Sequence, residues 1–320
     1  MWLYNTTILA HKRRMPRAHN DHDHHDHAHG VTNFGAAFAI ATALNLALVV
    51  AQVVYGLAAN SVALLADAGH NFGDALGLVL AWGAYLLGRA APTERFTYGF
   101  RSASILSALI NAILLLVATG AIAWEAIQRF GKPEHTNGLT VMIVAGVAIV
   151  INGLSAWLLM AGRKHDLNIR SAFAHLAADA AVSVGVVIAG AVLLLTGWTW
   201  VDPVASLLVS AAIVWGTWGL LRESLNMSMN AVPQGVSFAD VRSYLENLPG
   251  VAGVHDLHIW AMSTTETALT VHLVCDGGLT GDTFLVDAAH ELEHRFGIRH
   301  TTIQIETGEL ECRLAPTNVV

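Results

Sequence analysis

The chain has 320 residues, of which 54% are hydrophobic and 13% charged, about half the usual charged share, and its formal net charge is −7. An acidic balance gives no footing to a nucleic-acid partner. Cys275 and Cys312, the two cysteines, both fall in the part assigned below to the cytoplasm, which excludes a structural disulfide.

Residues 1–32 are polar. They hold a tract, Asn20 to His29, in which His22, His24, His25, His27 and His29 alternate with aspartates. No apolar periodicity organises it, so it is expected to be disordered without ligand and to bind metal weakly, as a delivery or buffering tail. It is also too polar to contain a signal-peptide core, so no cleavable signal is expected.

Residues 33–222 are dominated by runs without charge. Between Val31 and Leu87 the charged residues are Asp67 and Asp74, from Ser102 to Trp124 and from Gly138 to Gly162 there are none, and from Ser171 to Val201 there is Asp179. Such runs exceed the roughly 20 apolar residues that cross a bilayer, and a soluble core helix would be shorter and carry a polar stripe. Six membrane spans are expected, at about 34–58, 61–87, 102–127, 138–161, 170–196 and 202–222.

The links alternate in charge. Lys12, Arg13, Arg14 and Arg17 precede the first span. Arg89, Arg95 and Arg101 follow the second, Arg163, Lys164 and Arg170 the fourth, and Arg222 the sixth. The links near Asn60 and Gly197 carry no Lys or Arg, and the remaining one only Arg129 and Lys132. The positive-inside rule puts both termini in the cytoplasm, with the chain in the inner membrane of a bacterium or in an organelle membrane.

From 223 to 312 charge and alternation return, followed by a short tail, 313–320. Phe238 to Leu248 and Thr283 to Phe296 read as helices, and Val254 to Met262, Ala268 to Cys275 and Thr301 to Ile305 as strands. The order αββαβ predicts a small two-layered, ferredoxin-like cytoplasmic domain, suited to regulation or dimerisation.

Within the spans, His70 and Asp74 are four residues apart, and so are His175 and Asp179. Four residues is about one helical turn, so each pair projects from one helix face. Ionisable groups inside a membrane are expensive and default to a functional reading. Two imidazoles and two carboxylates make a ligand set suited to tetrahedral zinc. Asp67 lies almost on the same face, as a supporting acid or outer-shell partner. Asn45 is more simply an interhelical hydrogen-bonding residue. In the last domain His255, His272, His300, Glu306 and Cys312 are zinc-ligand types that the strands could gather, whereas His258, beside Trp260, reads as packing.

With the two H-x-x-x-D pairs, the segment His255-Asp256-Leu257-His258-Ile259-Trp260 and the closing His300-Thr301-Thr302-Ile303-Gln304-Ile305-Glu306, the chain resembles the cation diffusion facilitator family, in its zinc-exporting branch, over about residues 33–312. The resemblance implies a homodimer, not an enzyme, in which each protomer moves zinc out of the cytoplasm in exchange for protons. It maps the transport site onto His70, Asp74, His175 and Asp179, and the cytoplasmic zinc sites onto His255, His272, His300, Glu306 and Cys312. A histidine at position 70 goes with zinc preference in that family, though cadmium favours similar ligands and cobalt stays open. Ala91 to Arg101 contains no histidine, so the further site that some relatives have in that link is not expected here.

Two other readings stand beside this one. A membrane zinc sensor without transport would use the soluble domain and the tail, but would not need acid–histidine pairs in the bilayer. His290-Glu291-Leu292-Glu293-His294 matches the H-E-x-x-H pattern of zinc metalloproteases, with Glu291 as general base. That reading lacks a fitting third ligand and leaves both membrane pairs unexplained.

Overall fold

The computed structural model describes residues 34–132, 134–160, 167–275, 281–308 and 312–315, and the histidine tract of the N-terminal segment lies outside them. From Gly35 onward the chain is one compact unit.

Six long helices come first: α1 (Phe34–Ala58), α2 (Val62–Gly88), α3 (Ala103–Gly131), α4 (Gly138–Met160), α5 (Leu167–Thr196) and α6 (Val201–Ser228). They coincide largely with the uncharged runs, because in an apolar environment a helix satisfies its backbone N–H and C=O groups within one segment. Among the described residues four stretches are long and apolar enough to cross a membrane: Ala103–Gly131, Gly138–Trp157, Phe173–Thr196 and Val201–Ser228. The apolar part of α1, Ala43–Ala58, is shorter, and α2 interrupts its apolar run with Asp67, His70, Asn71 and Asp74. Large apolar side chains face outward, Trp215 at 88% and Leu195 at 84% exposure. A water-soluble bundle would bury them; a lipid-facing one does not need to.

Polar residues fix the helix ends on one side of the bundle. Ser61 caps α2, its hydroxyl accepting from the Leu64 amide at 3.2 Å. Asp202, in the first turn of α6, accepts from the Ser61 hydroxyl and from the Val62 amide at 2.8 Å. An acid thus meets the positive end of α2 and ties it to α6. Asn60 takes a left-handed φ of 54° in the tight α1–α2 link, where Arg129 donates to its carbonyl and side chain.

Helix α2 packs against α3, α5 and α6 around Leu64, Leu115, Val141, Val186 and Val209. Helices α4 and α5 meet through Gly138 and Gly190. A Cβ at Gly190 would lie 2.9 Å from Met142 Cγ and 3.1 Å from the Gly138 carbonyl oxygen. The two backbones touch, as glycine allows in membrane packing.

The C-terminal part contains α7 (Phe238–Glu246), β1 (Val251–Ala261), β2 (Thr267–Cys275), α8 (Asp282–Phe296) and β3 (Ile298–Glu306). The element order is the expected one. Its sheet runs β1-β2-β3, with β1 and β2 antiparallel and β2 and β3 parallel. Along β2, Leu269, Val271, Leu273 and Cys275 alternate into a core with Val241, Leu245 and Leu292. By the same alternation His272 stands on the opposite face. At the far end of the β1–β2 hairpin, Glu266 takes an ion pair from Arg101, and Ser102 and Ser104 bond the Met262 carbonyl and the Thr264 amide. The hairpin tip therefore rests on the start of α3.

Candidate metal centres

The first centre lies between α2 and α5, and its pairs are crossed. His70 Nε2 is 3.1 Å from Asp179 Oδ1, and His175 Nε2 is 3.0 Å from Asp74 Oδ2. The contacts within each helix are longer, 3.8 Å for His70–Asp74 and 3.5 Å for His175–Asp179. One turn of α-helix brings each pair onto one face, and the facing of α2 and α5 does the rest. Ligand atoms of His70, Asp74 and Asp179 all lie within 4.8 Å of one another, and His175 joins through the two aspartates. A tetrahedron of zinc bonds near 2.1 Å has edges of about 3.4 Å; the four His–Asp contacts, at 3.0 to 3.8 Å, bracket that length, while the two imidazole rings stand 5.9 Å apart between centroids. Each hydrogen bond holds a proton that a metal ion would replace. Side-chain exposure falls from 45% at His175 through 26% at Asp74 and 18% at His70 to 2% at Asp179. The centre therefore opens toward the end of α2 and the start of α5, and is closed at Asp179.

Behind the closed side runs a polar network that the sequence does not announce. Gln52 of α1 and Ser183 of α5 both donate to Asp67 Oδ2, at 2.5 and 3.3 Å, and the Asn71 amide donates to Gln52 Oε1 at 3.0 Å. All four side chains are buried. Of these, only Asp67 carried a signal in the sequence; a lone glutamine or serine in an apolar helix has none. Asn45 lies on α1 with a buried, unpartnered Oδ1.

The second centre is on the sheet face turned away from the helices. His255 of β1 pairs across the strands with His272 of β2, and Gln304 of β3 lies beside His272. The Glu306 carboxylate lies close to both histidines, 2.9 Å from His272 Nδ1 and 3.2 Å from His255 Nε2, while Cys312 Sγ lies 3.6 Å from His272 Nδ1. Ligand atoms of His255, His272, Glu306 and Cys312 all fall within 4.8 Å of one another. Two imidazoles, a carboxylate and a thiol are a donor set that fits zinc.

Asp256 supports this set. A register shift between His255 and His258 marks a bulge, and Asp256 there has a left-handed φ of 50°. Its carboxylate meets His272 Nε2 at 3.4 Å and His258 Nε2 at 2.9 Å. Asp256 thus stands at the imidazole nitrogen remote from Glu306 and Cys312. His258, expected as packing, instead holds Asp256.

His300 does not join the cluster. It sits six residues before Glu306 on β3, about 20 Å along an extended strand, and its ring packs edge-on against Tyr98 at 5.4 Å. Its place in the closing motif suggested proximity that an extended strand does not give. The protease-like motif is also separate. His290 is 72% exposed on α8, its ring stacked on His294 at 6.1 Å, and neither histidine belongs to a ligand cluster among the described residues.

Residues 38–227 match the cation efflux transmembrane domain, and residues 233–308 match the cytoplasmic domain of cation efflux proteins. The chain is 34% identical over 261 residues to a cadmium, cobalt and zinc/H(+)-K(+) antiporter of Bacillus subtilis, covering 80% of this chain and 84% of the relative. It is 37% identical over 257 residues to the zinc transporter ZitB of Escherichia coli, covering 80% and 82%. To the metal cation efflux system protein CzcD of Cupriavidus metallidurans it is 33% identical over 288 residues, covering 90% of each. The chain belongs to the cation efflux family, the cation diffusion facilitators.

Proposed function

We propose that the protein exports zinc from the cytoplasm in exchange for protons, through the centre formed by His70, Asp74, His175 and Asp179. The observation that carries this reading is the crossed pairing of two histidines and two aspartates between apolar helices. Its support from outside the chain is the set of relatives described as zinc, cadmium and cobalt transporters and antiporters. Helices α1 to α6 are the six spans, both termini lie in the cytoplasm, and the open side of the centre faces the cytoplasmic links. The C-terminal part is a ferredoxin-like domain, and the working unit is a homodimer.

Metal and protons compete for the same lone pairs. At low cytoplasmic proton activity the imidazoles are neutral and the carboxylates ionised, and a divalent ion replaces the bridging protons. With the centre turned outward, a modest proton excess reverses the exchange, because histidine titrates near physiological pH. Only protons and coordinate bonds are exchanged and no substrate is chemically transformed, so the protein is not an enzyme. In the cytoplasmic domain His255, His272, Glu306 and Cys312 would hold a zinc ion that cross-links the strands and the segment after β3, with Asp256 orienting His272.

Zinc flux in proteoliposomes under an imposed pH gradient tests the proposal. Gradient-driven flux is expected for the parent protein and none above background for Asp179→Ala. Flux unchanged by the substitution removes the centre from the mechanism. Bound zinc without flux in the parent favours the sensor.

A further inference from the structure

Asp67 is wholly buried, three residues before His70, and hydrogen-bonded to none of the four residues of the transport centre. Its Oδ2 accepts from Gln52 and Ser183, while its Oδ1 has no hydrogen-bond partner. One turn further along the same face, the Oδ1 of Asn71 is also buried and without a partner. Two orphaned acceptor oxygens on one helix face lack a donor between them.

No fixed cation answers the carboxylate. The sequence has no Lys or Arg from Val31 to Gly88 or from Ser171 to Val201. The groups whose charge acts on Asp67 are His70 of its own helix and Asp179 of α5. Farther along the same faces are Asp74 and His175, already bonded to each other. From α6 comes Asp202, committed to Ser61 and Val62, and α3 is uncharged until Glu125 and Arg129, which hold each other and the Asn60 turn. The described part of α4 has no ionisable group, and α1 offers only an exposed Tyr55. A buried carboxylate in this setting is neutralised either by a mobile cation or by a proton.

We propose that Asp67 carries a proton of its own, separate from those on the metal ligands, and releases it when zinc binds. Protonated at Oδ1, Asp67 becomes a donor, and the unpartnered Asn71 oxygen is a buried acceptor one turn along the same helix; Gln52 and Ser183 donate to the other oxygen. A divalent ion held by His70 and Asp179 puts two positive charges beside this group. The O–H bond then breaks heterolytically, the pair stays on the carboxylate, and the proton is released to solvent. Return of that proton from the far side helps expel the ion. The exchange thus gains one proton per zinc beyond those displaced from the ligands. This inference rests on the reading of His70, Asp74, His175 and Asp179 as the transport centre.

The test counts protons released on adding zinc chloride to the full-length protein in weakly buffered detergent solution with a pH indicator. The histidine tail and the cytoplasmic centre contribute equally to parent and variant and cancel in the difference. Asp67→Asn, which mimics the protonated acid, is expected to keep the zinc stoichiometry but release about one proton fewer per zinc. Asp67→Glu restores it. An unchanged proton count in Asp67→Asn overturns the proposal. Should Asp67→Asn fail to fold, zinc-induced infrared difference spectra decide. Loss of a carboxylic-acid carbonyl band that shifts between the parent and Asp67→Glu is expected, and its absence in both overturns the proposal. Unchanged zinc stoichiometry in Asp179→Ala instead removes the transport centre itself, a separate failure.

Discussion

Glu306 shows how one side chain serves a metal-ready cluster. Burial works against its charge. The Cys312 hydrogen bond, the charge of His255, the Gln304 amide and the charge of His272 outweigh that and hold its pKa below the ordinary glutamate value. A carboxyl group whose pKa is lower folded than unfolded stabilises the fold fully above the unfolded value, about 4.3, and loses that contribution as pH falls through the folded value. Urea unfolding of the metal-free full chain is therefore expected to show acid-sensitive stability of the sheet below that range. Glu306→Gln should flatten this dependence, and an equally steep variant would show that the acid sensitivity arises elsewhere. The contrast with His300 is instructive at the same scale. Both residues are ligand types in one short segment, yet strand geometry puts one in the His255–His272–Cys312 cluster and the other against Tyr98.

At the scale of elements, α4 and α5 pack side chains such as Val141 and Val186 together and bring their backbones into contact at Gly138 and Gly190. Gly190→Leu must separate them, because its Cβ alone would overlap Met142 and approach the Gly138 carbonyl. Overpacking of this kind costs about 1–3 kcal/mol, read as a lowered unfolding temperature in detergent, and a variant as stable as the parent would place the helices farther apart. Helices were legible in the sequence because an apolar run of roughly twenty residues without charge suits a membrane-crossing helix and little else. The His–Asp spacing of four was legible because it equals a turn. The end of α6 was not: charge returns at Arg222, but helical hydrogen bonding needs no apolar environment and continues to Ser228. Gln52 and Ser183 were invisible because their meaning depends on which helix faces them. The bulge at Asp256 was hidden inside a strand-like run, since a left-handed aspartate leaves no periodic mark.

For the whole molecule, α5 brings one half of the proposed transport centre and is packed against α4, while α2 brings the other half and is tied to α6 through Asp202. In the proposed exchange, a change of access would move helices in pairs and part them at the seam between α2 and α5. The β1–β2 hairpin joins this assembly to the second centre. His255 and His272 lie near one end of it, and Met262 to Glu266 bear on Arg101, Ser102 and Ser104 at the other, about 23 Å away along the strands. In amide hydrogen exchange of the full chain, zinc is expected to slow exchange both at the ligand strands and at the first turn of α3. Glu266→Ala should keep the first effect and lose the second; slowing at α3 that survives the substitution would mean the signal travels another way. A paired-strand ribbon resists bending far better than a loop does, so the cytoplasmic domain is a strut footed on a membrane helix, and load applied at its metal end arrives at the bilayer as thrust.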